Sequence, residues 1–187
     1  MRLLAGTRCG RTNAVAAAAL LSLLAAAPRA VAQPSEQDVK AAFLYHFAQY
    51  VEWPAAAFAS PSAPLVIGVL GPADAMPAVD GAVKGKLVEG RAIVVRRLNA
   101  PGDAVGCHMA FVLSSDASRA PALFNALGRR PVLTVGETDG FARSGGAIEF
   151  VVVEGRVAFR VNPAAASRAG LTVSSKLLRL AEIVDED

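Results

Sequence analysis

Leu65-Val66-Ile67-Gly68-Val69-Leu70 is a run of six apolar residues closed by Gly71-Pro72. A strand with one face in water alternates polar and apolar positions. A continuous apolar run of strand length instead suits a strand covered on both faces, which is the position of a strand in a parallel sheet between helical layers. Shorter runs of the same kind recur at Ala92-Ile93-Val94-Val95, Ala110-Phe111-Val112-Leu113 and Val132-Leu133-Thr134-Val135. Residues 73–83 between them have the composition of a short helix. Ser114-Ser115-Asp116 stands where a cap would begin a helix running through Leu127 to Gly128. Alternation of strand and helix predicts an α/β fold: a three-layer domain with a mostly parallel sheet flanked by helices. The pattern changes after residue 147. Ile148 to Val153, Glu154-Gly155 and Arg156 to Val161 read as an antiparallel C-terminal hairpin, and its second arm alternates Val157, Phe159 and Val161 with Arg156, Ala158 and Arg160. Asn162-Pro163 opens a short helix stopped by Gly170. A last helix is expected over residues 176–184, capped by Ser174 or Ser175.

Ahead of the first strand, Ser35 begins a helix with Asp38 in a capping-box position, and Pro54 ends it. At about 100° per residue, Val39, Phe43, Phe47 and Tyr50 share one stripe, while Tyr45, Ala48, Gln49 and Glu52 lie across from it. This predicts that the first set faces the core. Six of the chain's eleven aromatic residues fall within residues 43–58, and Tyr and Trp are favoured anchors of protein interfaces. Tyr45, Gln49, Glu52 and Trp53 are therefore the candidate partner-contact surface.

The N-terminus reads as an address. Arg2, Arg8 and Arg11 precede the apolar run Ala14 to Ala27, and Ala30-Val31-Ala32 follows as a small-residue cleavage site. That run has 14 residues, fewer than the roughly 18–20 that cross a bilayer. Residues 1–32 are expected to be a cleavable secretory signal, and residues 33–187 one exported periplasmic domain with no direct membrane insertion. Cys9 precedes the apolar run, where a lipid-attachment Cys would follow it. The formal charge of +3 belongs to the leader, which holds four Arg and no acid; residues 33–187 carry 15 Lys+Arg against 16 Asp+Glu. Nothing in that balance draws the domain to nucleic acid.

Chemistry is sparse. His46 and His108 form no metal-ligand pair, and Cys107 and His108 point to opposite faces of an extended strand. Residues 81–86 have the wrong spacing for a phosphate loop, with Leu87 where Ser or Thr would bind magnesium. No cofactor, metal or catalytic group is expected. Ligands of open α/β sheets bind beyond the carboxyl ends of strands, which makes Gly71, Ser114, Ser115, Asp116 and Glu137 the candidate ligand pocket. Backbone N–H groups near Ser115 could hold an anion there. A hydrolase using Ser115 would need its nucleophile on a strained turn of the G-x-S-x-G kind, and no such string occurs, so Ser115 reads as a helix cap or turn residue. Cys107, the one Cys after the leader, is either an inert core thiol or half of an intermolecular disulfide.

Several strings resemble the YfiR family of bacterial periplasmic proteins. They are Val39-Lys40-Ala41-Ala42-Phe43-Leu44-Tyr45 leading to Tyr50-Val51-Glu52-Trp53-Pro54, Cys107 with the strand after it, Pro131 to Val135, Gly145-Gly146-Ala147-Ile148-Glu149-Phe150, Arg160-Val161-Asn162, and Gly170 to Ala181. The resemblance implies a periplasmic α/β regulator without enzymatic activity. Such a regulator binds the periplasmic sensor domain of an inner-membrane diguanylate cyclase and holds the cyclase inactive, which lowers cyclic di-GMP and biofilm formation. The resemblance also implies relief by an outer-membrane lipoprotein, and a homodimer. Disulfide bonds known in the family cannot form within this chain once the leader is gone. The reading from a different class is a periplasmic small-ligand binding module serving another receptor or transporter.

Overall fold

The computed structural model describes residues 34–185. The expected leader lies outside the described residues. Helix α1 spans Glu36–Tyr50 and runs into strand β1, Val51–Glu52. Its start is fixed by a complete capping box: Asp38 N–H donates to Ser35 Oγ at 3.2 Å, and Ser35 N–H donates to Asp38 Oδ2 at 3.0 Å. Then come β2 (Leu65–Leu70), α2 (Met76–Val83), β3 (Leu87–Val88), β4 (Arg91–Leu98), β5 (Met109–Val112), α3 (Ala120–Leu127) and β6 (Leu133–Gly136). The chain finishes with β7 (Ile148–Val153), β8 (Arg156–Val161), α4 (Pro163–Arg168), β9 (Thr172–Val173), α5 (Ser175–Leu178) and β10 (Glu182–Ile183).

Eight strands form the main sheet in the order β10-β8-β7-β6-β5-β2-β4-β3. The central strands β4, β2, β5, β6 and β7 are parallel, and β8 closes an antiparallel hairpin on β7. β1 and β9 make a separate two-stranded antiparallel sheet. The fold is thus the expected α/β layering. The continuous apolar runs are explained by the packing. Leu65, Ile67, Val69, Met109, Phe111, Leu133 and Val135 face α1 and α2, while Leu70, Ala110 and Val112 face α3. Phe47 packs by its edge on Phe159 at a ring separation of 5.1 Å.

Three local expectations are revised. First, the buried face of α1 is Lys40, Ala41, Leu44, Phe47 and Ala48, roughly 100° round from the predicted stripe. Val39 and Phe43 are only partly buried, and Ala48 is inside. Second, the last helix stops at Leu178, and Glu182–Ile183 pairs in parallel with Arg160–Val161 instead. Leu177 and Val184 are buried, but Leu180 is left largely exposed. The edge of β8 supplies backbone hydrogen bonds, including Val184 N–H to Val161 O at 3.0 Å. Third, Glu89-Gly90 forms a hairpin turn that the sequence reading did not separate from the loop before β4. Both of its residues have positive φ, 50° and 79°, as do Glu154 and Gly155 in the expected hairpin, 50° and 74°. Positive φ at both central positions gives a two-residue turn the twist that adjoining strands need.

Candidate functional site

The strand order reverses between β2 and β5, so the crevice beyond Leu70 and Val112 is where a ligand of an open sheet would sit. The chain's own side chains fill it. A Cβ on Gly71 would come within 2.8 Å of Leu113 Cδ1, which shows how closely Leu113 packs between the strand ends. Glu137, just after β6, accepts the Ser114 N–H at 2.8 Å through Oε1 and the Lys40 ammonium at 2.8 Å through Oε2. The side chains of this pair are 8% (Lys40) and 3% (Glu137) exposed, and Glu36 adds a second carboxylate 2.6 Å from Lys40. Burial pulls the Lys40 pKa down, but the two carboxylates outweigh it and the net shift is upward. The anion held by the Ser114 N–H is therefore internal, and its counterion ties α1 to the sheet.

Gly71, Ser114 and Glu137 are brought together at this crevice. Ser115 and Asp116 lie on the turn outside it. The Ser115 hydroxyl donates to Asp116 at 2.9 Å, and Arg119 pairs with the same carboxylate at 2.8 Å. The hydrogen bond from Arg119, with that from Ser115 behind it, holds the Asp116 carboxyl below the usual range. His108 precedes β5, at the end of that strand opposite to Ser115. A separate cavity of about 190 Å³ opens between α3 and the loop after β6, lined by Ala117, Ala120, Phe124, Thr138 and Phe141.

On α1, Gln49 is exposed and donates to the Tyr45 hydroxyl at 3.0 Å. Tyr45 is half-buried against β3, with its hydroxyl 3.5 Å from Leu87 O and Lys86 Nζ 4.3 Å from its ring centre. Glu52 is exposed. Trp53 is half-buried, with its indole N–H turned inward to His108 O at 2.9 Å. The four candidate contact residues thus follow one another along the end of α1 and β1, with the polar atom of Trp53 already satisfied.

His108 itself, 6% exposed, holds the loop between β1 and β2. Its Nδ1 accepts the Val66 N–H at 3.0 Å, and its Nε2 lies 3.2 Å from Ala57 O. That pair of partners requires a neutral ring with the proton on Nε2. The ring stacks on Phe58 at 4.3 Å, and Arg91 covers the other side of Phe58 at 3.8 Å. Burial lowers the His108 pKa and the Arg91 charge adds to it, against the bond to Ala57. Cys107 points into the core beside Gly68, with Arg96 Nη2 3.1 Å from Sγ. Burial pushes its thiol pKa up, with Arg96 opposing in part.

The late motifs interlock through Glu149, Arg160 and Asn162, of which sequence reasoning singled out only Asn162, as the cap of the helix that follows. Glu149 on β7 is fully buried opposite Arg160 on β8, and the two pair at 3.0 Å. The other Glu149 oxygen accepts the Ala142 N–H at 2.9 Å. Asn162 donates to Ala142 O and caps α4 by accepting the Ala165 N–H, both at 2.9 Å. A Cβ at Gly146 would collide with the Phe141 ring. These residues build one buried polar joint between the loop after β6, the hairpin and α4. Glu149, forbidden in an apolar strand unless paired, was the sequence signal for it.

The profile of the YfiR/HmsC-like family matches residues 37–182. A comparison with curated proteins finds no match. Among solved structures, the chain is similar to a conserved domain protein from Vibrio cholerae O1 biovar El Tor strain N16961. The TM-score is 0.56 at 13% identity, covering 81% of this chain and 61% of that one. The chain spans about three fifths of that protein's length, and the likeness is one of fold. It also overlaps an ABC domain from Streptococcus pneumonia in complex with L-Trp, at 13% identity and a TM-score of 0.47, over 64% of this chain and 55% of that one.

Proposed function

The chain belongs to the YfiR/HmsC-like family, and from that premise we propose that it is a non-enzymatic periplasmic regulator of a membrane-bound diguanylate cyclase. It binds the cyclase's periplasmic sensor domain and holds the enzyme inactive, lowering cyclic di-GMP. The family match across residues 37–182 carries the reading. Its mechanism is population shift: a protein that binds only the inactive state of its partner stabilises that state by its differential affinity. The contact surface in this proposal is Tyr45, Gln49, Glu52 and the exposed part of Trp53. The leader supports export, and among the described residues no helix is long and apolar enough to cross a membrane.

The filled crevice between β2 and β5 favours this reading over a small-ligand module. Lys40 and Glu137 satisfy each other where a ligand's charge would go, and opening the site would strand two buried charges. The experiment is deletion of the gene with cyclic di-GMP measured by mass spectrometry, alongside capture of membrane proteins on the tagged regulator. Raised cyclic di-GMP and recovery of a cyclase are expected. Unchanged cyclic di-GMP together with no recovered cyclase overturns the proposal.

A further inference from the structure

One edge of the main sheet stands open. β3 pairs with β4 only at Leu87–Ala92 and Val88–Arg91, whereas β4 continues to Leu98 and is paired over Ile93–Leu98 by β2 alone. Among the described residues no further strand meets that side. A strand with one neighbour directs its remaining N–H and C=O groups outward, where another chain can pair with them. The side chains at this edge are unusual in two respects. Leu87 and Val94 are large apolar residues exposed at 56% and 45%. Strand alternation puts Ala92, Val94 and Arg96 on one face, and Leu87 opposite Ala92 extends that row.

The second respect is charge. Residues 84–98 hold Lys84, Lys86, Arg91, Arg96 and Arg97 against the one acid Glu89, in a domain that is otherwise slightly acidic. Arg91 donates to Ser60 O and Ala63 O, Arg96 to Asp103 O and the Cys107 sulfur, and Arg97 to Gly71 O. These acceptors carry no net charge; Asp103 and Asp116 lie within electrostatic range of Arg96 and Arg97 respectively, but neither carboxylate forms an ion pair with them. A second copy is a poor occupant. Antiparallel pairing centred on the open stretch, between Val95 and Arg96, sets Arg97 of each copy diagonal to Arg96 of the other on one face, and in-register parallel pairing stacks Arg on Arg; like charges so placed destabilise a ladder. The opposite edge, β10, carries Glu182 and is followed by Asp185.

We infer that the β4 edge recruits an extended acidic segment of a partner chain as an added strand. Its backbone completes the ladder, its apolar residues meet Leu87 and Val94 on one face, and its carboxylates meet Arg97 on the other. Main-chain pairing supplies affinity in this mode, and the side chains supply selectivity. The inference stands on the edge itself and holds for partners other than a cyclase.

The probe is a fluorescein-labelled peptide of eight alternating Glu and Val residues. Two controls accompany it, one with Lys in place of Glu and one N-methylated at alternate backbone positions. Anisotropy titration of the purified protein should show saturable binding of the Glu peptide, with at least tenfold weaker binding of both controls. Hydrogen exchange should show new amide protection within residues 93–98. Equal binding of the N-methylated peptide reduces the effect to surface charge and overturns the added strand. Protection at β10 instead, or no binding of the Glu peptide, overturns the inference as well.

Discussion

Acidification should unfasten the loop between β1 and β2 through a single imidazole. His108 must be neutral to accept the Val66 N–H at Nδ1 while donating to Ala57 O from Nε2. Protonation puts a second N–H against the Val66 N–H, in a ring buried on Phe58 with Arg91 beyond it. Its folded pKa lies below the unfolded value near 6.5. Between those two values the unfolded chain binds more protons than the folded one, so folding stability decreases as pH falls. The contribution is whole above about pH 6.5 and is lost at up to about 1.4 kcal/mol per pH unit below it, until the folded pKa is reached. Urea denaturation at pH 7.5 and 5.5 measures this, in a His46→Gln background that removes the exposed imidazole. His108→Phe keeps the stacking but leaves Val66 N–H and Ala57 O unpaired, at about 1–3 kcal/mol each. It should therefore start less stable at pH 7.5 and lose less on acidification. An equal loss in His108→Phe and its parent would refute the argument, because the titration would then reside elsewhere.

The remaining predictions concern the ion pairs and the thiol. Arg160→Ala leaves the Glu149 carboxylate buried without its cation and should cost about 3–5 kcal/mol by chemical denaturation; Glu149→Leu combined with Arg160→Met should be less damaging than that single change. Lys40→Met strands Glu137 and frees α1 from the strand ends, which should lower the melting temperature by several degrees and raise hydrogen exchange in α1. Cys107 is buried and should react with Ellman's reagent at least a hundredfold more slowly in the folded protein than in 6 M guanidinium; rapid native labelling would restore the intermolecular disulfide as a reading.

The parallel core was legible because burial on both faces leaves a continuous apolar run, as at Leu65 to Leu70. The Glu154-Gly155 hairpin was legible because its second arm alternates. The same dipeptide at Glu89-Gly90 escaped because β3 offers only Leu87-Val88, too short a run to show a period. The face of α1 was misplaced because a hydrophobic stripe assigns Lys to solvent. Lys40 is inside, held by Glu137 ninety-seven positions away, and periodicity carries no information about such a partner. The last helix was overextended because four apolar residues at helical spacing are equally consistent with one turn followed by an edge strand. At the strand ends, sequence placed Gly71, Ser114 and Glu137 together. It did not reveal that Leu113 and Lys40 occupy the space between them.

The pairing of β1 with β9 has a kinetic consequence. Val51 lies opposite Val173, and Ser174 N–H donates to Tyr50 O at 2.9 Å. The end of the first helix is thus fastened by residues that a chain emerging N-terminus first delivers almost last. Until they arrive, α1 has neither its terminal partner nor the Phe159 surface against which Phe47 packs. Long-range closures of this kind slow folding, since the entropy of the intervening loop is lost before the contacts form. A chain lacking everything beyond Gly170 should keep the sequence of the central parallel strands β4, β2, β5, β6 and β7 intact and still leave α1 without its anchor.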